Sequence, residues 1–148
     1  MPDDGALDLA LPLPLPTAAT APYWAAAAEG RLMLQRCRTS GAVWHYPRQM
    51  SPARGERAGG DQADVEWFEA SGRGVVYSFS IVRRAPDPVF QARAPYPIAL
   101  IDLAEGPRML ASIVGPGALA VAIGDAVRCV FEARGKGMNV PQFIREGI

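Results

Sequence analysis

From Val65 onward, apolar and polar residues alternate with a period of two, a pattern that a strand buries on one face and a helix does not. Val65 and Trp67, then Val75, Tyr77, Phe79 and Ile81, alternate with Glu66 and with Ser78 and Ser80. Ser71-Gly72-Arg73-Gly74 interrupts the run as a turn or bulge does. Further strands are expected at 97–103 and 108–114, at Val127, Cys129 and Phe131, and at 138–144. The turn sequences between them are Ala104-Glu105-Gly106-Pro107 and Arg134-Gly135-Lys136-Gly137. Residues 115–123 form a connector with room for one short helical turn. The Val75–Ile81 series is expected to face inward, which makes Tyr77 and Phe79 core residues first. Cys129 falls on the inward face as a small core residue.

Five short strands closing on themselves, with a connector after the third, describe an OB-type barrel. The chain has 148 residues, enough for one ordinary domain or two small modules. Charged residues make up 20% and the formal net charge is zero, so a phosphate-gripping basic surface is disfavoured. Cys37 and Cys129 lie far apart, which gives no secreted disulfide framework and makes a reducing cytoplasm the expected compartment. No apolar run approaches the roughly 20 residues that span a bilayer. Asp3 and Asp4 open the chain where a signal peptide would carry positive charge.

Three segments are expected: an extended arm at 1–16, a helix plus ribbon at 17–60, and the barrel at 61–148. The arm ends Leu11-Pro12-Leu13-Pro14-Leu15-Pro16, and proline at every second position forbids both helix and ladder. Its leucines either lie along another surface or fray. Thr20 is a plausible N-cap with Pro22 in the first turn, and residues 23–29 make a short helix stopped by Gly30. Trp24, Ala27 and Ala28 give it one apolar face. Leu32 and Leu34 begin a strand leading into Cys37, and Val43, Trp44 and Tyr46 a second. His45, the only histidine, has no nucleophile at an interpretable spacing and is expected to be a half-exposed strand residue.

Between the strands lies a pattern that reads as a zinc ribbon without its ligands, or else as an ordinary loop. Paired zinc knuckles place Cys-x2-Cys on each of two tight turns. Here those positions hold Cys37, Ser40, Ser51 and Arg54, each pair followed by glycine at Gly41 and Gly55. Arginine is a permanent cation and serine a poor ligand, so zinc is not expected. Packing of Trp24, Trp44 and Tyr46 would have to hold the ribbon instead.

The whole series resembles the zinc-ribbon plus OB-fold proteins known as domain of unknown function thirty-five, which accompany thiolase-like enzymes and acyl-CoA metabolism. The likeness rests on Tyr23-Trp24, Gly30-Arg31-Leu32 and Gln35-Arg36-Cys37, then Tyr46-Pro47-Arg48 and Glu66-Trp67. It continues through Ala70-Ser71-Gly72-Arg73-Gly74-Val75-Val76-Tyr77-Ser78-Phe79, Ala94-Pro95-Tyr96-Pro97-Ile98-Ala99-Leu100 and Glu105-Gly106-Pro107-Arg108. It implies a mainly β chain: a short helix, a degenerate rubredoxin-like ribbon and a five-stranded OB barrel. It also implies a non-catalytic subunit docked on a thiolase-like protein that carries the catalytic groups, in acyl transfer, Claisen-type chemistry or retro-aldol cleavage of CoA-thioesters. The residues agree: there is no nucleophile–base pair and no phosphate-cradling glycine motif.

No tightly bound cofactor is expected, and an acyl-CoA would be a shared substrate. Residues 83–96 form the expected functional loop, where Arg83, Arg84 or Arg93 would meet CoA phosphates or an acidic partner, with Phe90 and Tyr96 beside them. The plain alternative is a surface loop. Trp24, Trp44 and Tyr46 are the expected partner contacts. The rival reading is an OB-fold binding single-stranded nucleic acid, which needs exposed aromatics beside a cationic groove.

Overall fold

The computed structural model describes residues 10–52 and 64–147. In chain order its elements are α1 (Ala21–Ala28), β1 (Met33–Cys37), β2 (Val43–Trp44), β3 (Val65–Glu69), β4 (Arg73–Val82), α2 (Pro88–Gln91), β5 (Tyr96–Leu103), β6 (Arg108–Val114), a 3-10 turn at Ala118–Ala120, β7 (Ala126–Gly135) and β8 (Met138–Arg145). Strands β4-β5-β6-β8-β7 close into a barrel, and β2-β1-β3 form a separate three-stranded sheet. Among the described residues no helix is long and apolar enough to cross a membrane.

The barrel follows the alternation. On β5, Ala99, Ile101 and Leu103 are buried; β6 contributes Met109, Ala111 and Ile113, β7 Val127 and β8 Phe143. All barrel pairs are antiparallel except β6 with β8, which meet in parallel at Ile113↔Phe143 and Val114↔Ile144. Cys129 is partly buried against this core. The turn from β7 to β8 runs through Lys136 (φ 52°) and Gly137 (φ 76°), two positive-φ residues whose twist matches the hairpin.

β4 departs from the expected phase. Its register with β5 passes from Val76↔Ile101 to Ser78↔Leu100, so Tyr77 is an extra residue in a β-bulge. One inserted residue swaps the two faces of a strand. Val76 is therefore buried, whereas Val75 and Tyr77 stand outside at 46% and 50% exposure. Past the bulge Phe79 turns back onto the core. The expectation that Tyr77 is a core residue is corrected, and the bulge is the reason.

The strand at Val65–Glu69 is also corrected, from barrel to ribbon: it pairs with β1 from Met33↔Glu69 to Cys37↔Val65. Arg36 and Arg38 both bond the Glu66 carboxylate across that ladder, and the Arg36 guanidinium lies 4.6 Å from the Phe68 ring centre. α1 closes with Gly30 at φ 76°, the Gly30 N–H donating to Ala27 O and the Arg31 N–H to Ala26 O. At the other end Thr20 occupies the cap position, yet no side chain caps the helix; its hydroxyl oxygen accepts from the Thr17 N–H. The helix buries Tyr23, Ala26 and Ala27, one position away from the expected face. Asn139 of β8 donates to the Ala27 carbonyl, tying helix to barrel.

Gly74 is where β4 comes closest to β5: a Cβ there would lie 2.6 Å from Ile101 Cγ2 and 2.9 Å from the Asp102 carbonyl oxygen. Gly74→Ala forces backbone apart in the barrel wall, an overpacking worth about 1–3 kcal/mol. A urea midpoint lowered at unchanged slope checks this; an unchanged midpoint refutes it.

Candidate functional site

The ribbon keeps its first turn. The Cys37 N–H donates to Ala42 O, the Gly41 N–H donates back to Cys37 O, each at 2.8 Å, and Gly41 has φ 76°. Cys37 and Ser51 are buried and Ser40 is exposed. Arg54 lies outside the described residues.

What ties β1 to the second turn is Gln35, which the sequence reading missed. Its side-chain oxygen accepts from Trp44 Nε1 at 2.7 Å and from the Arg48 N–H at 2.6 Å, and its Nε2 donates to Arg48 O at 2.8 Å. All three are made by a side chain only 3% exposed. The available signal was placement: two residues before Cys37, Gln35 shares its face of β1, and a nearby tryptophan needs an acceptor when buried. Trp44 is thereby a ribbon-core residue, 7% exposed, which corrects its expected place on a partner surface. Tyr46 is 61% exposed and Trp24 partly so.

Beside the ribbon, Tyr23, Trp24, His45 and Tyr46 stack edge to face with centroids 5.0–5.7 Å apart. The Tyr23 hydroxyl lies 3.3 Å from His45 Nε2, and His45 Nδ1 is buried with no hydrogen-bond partner among the described residues. Burial pushes the His45 imidazole down to about 4. Burial, with Cys129 and Tyr46 nearby, pushes the Tyr23 phenol well above its ordinary range. Burial holds the Cys129 thiol up to about 12. At neutral pH the Tyr23 phenol and the Cys129 thiol stay protonated, so neither is an ionised nucleophile, and the lowered His45 imidazole is a weak base. The cluster walls a cleft of about 280 Å³ that reaches Leu110, Val140 and Pro141 of the barrel.

A second cleft, of about 260 Å³, gathers part of the expected loop. Phe90, Arg93 and Tyr96 line it, with Leu119, Glu132 and Arg134 opposite. Asp87 accepts from the Val89 N–H to start α2, and the Gln91 side chain accepts from the Ala85 N–H, so the loop is folded on itself. Arg93 grips Glu132 with two bonds of 3.1 and 3.0 Å, and Arg134 adds a third at 3.0 Å while donating to Pro12 O of the arm. The bonds to Glu132 raise the Arg93 guanidinium above its ordinary value. Burial works to raise the Glu132 carboxyl, and the two arginines outweigh it, so it sits below the usual carboxylate range. Arg83 and Arg84 are exposed and line neither cleft.

A bulged five-stranded barrel carrying a small ribbon of this kind defines a zinc-ribbon plus OB-fold protein. The family models agree: residues 24–50 match the rubredoxin-like zinc ribbon domain of ChsH2, and residues 67–132 match the C-terminal OB-fold domain of ChsH2. The chain belongs to this DUF35 family. It is 36% identical over 96 residues to a DUF35 domain-containing scaffold protein of Methanocaldococcus jannaschii, covering 65% of this chain and 64% of that one. It is 34% identical over 93 residues to a probable enoyl-CoA hydratase alpha subunit of Thermomonospora curvata, covering 63% of this chain but 27% of that one. The chain therefore spans less than two thirds of the length of either relative. Among solved structures, a chain of an Ltp2-ChsH2(DUF35) aldolase superposes with TM-score 0.74 at 30% identity, covering 89% of this chain and 98% of that one.

The ribbon match overturns the expectation that zinc has no place here, because the module it identifies is a zinc-binding one. The donor set is thin. Cys37 is the cysteine at the first knuckle, and among the described residues no three His, Cys, Asp or Glu side chains gather around one point.

His45 yields a pH test. Its folded-state value of about 4 lies below its ordinary 6.5, so the neutral form is the one the fold favours. The resulting stability is complete above about pH 6.5 and is lost as pH falls toward 4, on the order of 3 kcal/mol. With one histidine in the chain, its ring-proton NMR titration is unambiguous. The expected midpoint is below 5; one near 6.5 refutes the burial.

Proposed function

We propose that this chain is a non-catalytic accessory subunit that docks on a thiolase-like protein and helps form its acyl-CoA channel. The observation that carries the reading is the superposition on the DUF35 chain of an aldolase, over 98% of that chain. The names of the relatives support the same area of chemistry. Besides the enoyl-CoA hydratase subunit, the chain is 35% identical over 112 residues to a 3-oxo-4,17-pregnadiene-20-carboxyl-CoA hydratase alpha subunit of Mycobacterium tuberculosis, covering 76% of this chain and 33% of that one.

The side chains support an accessory role. Tyr23, His45 and Cys129 are held neutral, and Tyr23 and His45 bond each other. Meanwhile large apolar side chains face outward: Tyr46 and Met50 on the ribbon, and Val75, Tyr77, Leu100 and Leu110 on β4, β5 and β6. Exposed aromatics of this sort supply much area with few rotors to freeze, as a stable interface needs. The cleft at Phe90, Arg93 and Tyr96 fits a shared substrate: apolar walls, and two guanidiniums against one carboxylate for a net positive charge. The reaction served is acyl transfer, Claisen-type condensation or cleavage, or retro-aldol cleavage.

Co-expression with a thiolase-like protein from the same genome tests the reading. One stable peak on gel filtration is expected, with acyl-CoA turnover by the pair and none by this chain alone. Separate elution, or turnover unaided, overturns it. Within the complex, Arg93→Ala is expected to raise KM for the acyl-CoA roughly 3- to 10-fold, a change of ~1 kcal/mol, without dissociating the subunits. Unchanged kinetics would remove the cleft from the proposal.

A further inference from the structure

β6 has an unpaired edge. It pairs with β5 from Arg108 to Ser112 but with β8 only at Ile113 and Val114. In an antiparallel ladder, alternate residues turn their N–H and C=O groups to opposite sides. Ser112 shows which residues face away from β5, since its N–H donates to the Gln142 side-chain oxygen on β8 at 2.8 Å. Leu110 has the same parity, so its N–H and C=O point into the same gap. Among the described residues no strand pairs with Leu110 on that side. Pro141 of β8 lines the same cleft and has no N–H to offer.

The gap opens into the aromatic cleft at Trp24, Tyr46 and Pro47. On the outer face Leu110 is 53% exposed, next to its ladder partner Leu100 and near Tyr77. Charge at this edge is already matched: Arg108 bonds Asp102 at 2.6 Å and lies 3.3 Å from the Tyr77 ring centre. What remains on offer is the Leu110 N–H and C=O between apolar walls. Its complement is an uncharged extended backbone, not an acidic peptide or a phosphate chain.

Resting on the accessory-subunit reading above, we propose that one extended, uncharged segment of the thiolase-like partner adds to β6 as a strand. Its backbone pairs with Leu110, and alternate side chains enter the cleft between ribbon and barrel.

Amide hydrogen exchange on the co-purified complex, compared with this chain alone, is the first test. The Leu110 amide is expected to slow at least tenfold on complex formation. Two variants give the second. Leu110→Pro removes the gap-side N–H and leaves the Met109 and Ala111 bonds to β5 in place, a position where an edge strand tolerates proline. Leu110→Thr keeps the N–H. The proline variant should bind the partner at least tenfold more weakly and the threonine variant within threefold of the parent. A parent complex with an unprotected Leu110 amide, or a folded proline variant that binds like the parent, overturns the strand addition while leaving the accessory role standing. A chain that dimerises alone and protects Leu110 in doing so gives the edge to a second copy and overturns it too. If the parent binds no thiolase-like protein, both readings fall.

Discussion

Tyr77 has no partner when β4 pairs with β5, and much of the molecule's character follows from that surplus residue. Upstream of it, the odd-numbered side chains of β4 point to solvent and Val76 to the core. Downstream, Phe79 returns to the core. A strand in continuous phase would bury Val75, Tyr77 and Phe79 together, putting two more large side chains into a barrel already filled by Ile101, Met109, Ile113 and Phe143. The bulge relieves that crowding and puts an aromatic outside. There Tyr77 supports Arg108, which bonds Asp102, so the outer face acquires a rigid cation–π and ion-pair feature between apolar neighbours. The packed core and the apolar outer face are two consequences of one backbone irregularity.

The ribbon answers a different constraint. A small sheet of three short strands buries little area and is marginal alone. Gln35 supplies three hydrogen bonds in a dry setting, where each is stronger than in water and where losing one leaves an orphaned polar group. Glu66 adds two arginines across β1 and β3, and the aromatic cluster seals α1 against the bend after β2 that carries His45. These contacts explain how the first knuckle can hold its shape with Cys37 at its ligand position. They do not make the ribbon indifferent to metal, since the matched family module is a zinc ribbon.

Much of this was legible before any coordinates. The five barrel strands, the 3-10 connector and both glycine turns follow from period-two alternation and turn chemistry, which are local properties. The errors are non-local. A bulge leaves no mark in hydrophobicity, because Val75-Val76-Tyr77 satisfies either phase and only the partner strand decides. The move of β3 into the ribbon depends on Glu66 meeting Arg36 and Arg38, thirty residues away in the chain. Prolines and arginines mark 83–96 as a loop, and Phe90, Arg93 and Tyr96 of it line a cleft. Arg83 and Arg84 do not, because sequence cannot tell which cations have a carboxylate such as Glu132 across from them. Trp44 fits both ribbon packing and a partner surface until its acceptor, Gln35, is known, and that bond decides for the ribbon.

Charge pairing bears on what such a surface can recognise. Arg36 and Arg38 share Glu66, Arg93 and Arg134 share Glu132, Arg108 holds Asp102, and Arg145 holds Asp125. A phosphate backbone would have to compete with these carboxylates for the same guanidiniums, and a chain of zero net charge gives it no long-range attraction. A protein partner faces no such competition: intramolecular pairs at an interface rim stay hydrated and intact while apolar side chains between them are covered. The large apolar and aromatic side chains exposed outside these pairs include Tyr46, Val75, Leu100 and Leu110. Apolar area of this kind suits a protein partner better than a nucleic acid, and among the described residues the exposed aromatic of β4, Tyr77, is already covered on one face by Arg108 instead of being left open for a base to stack.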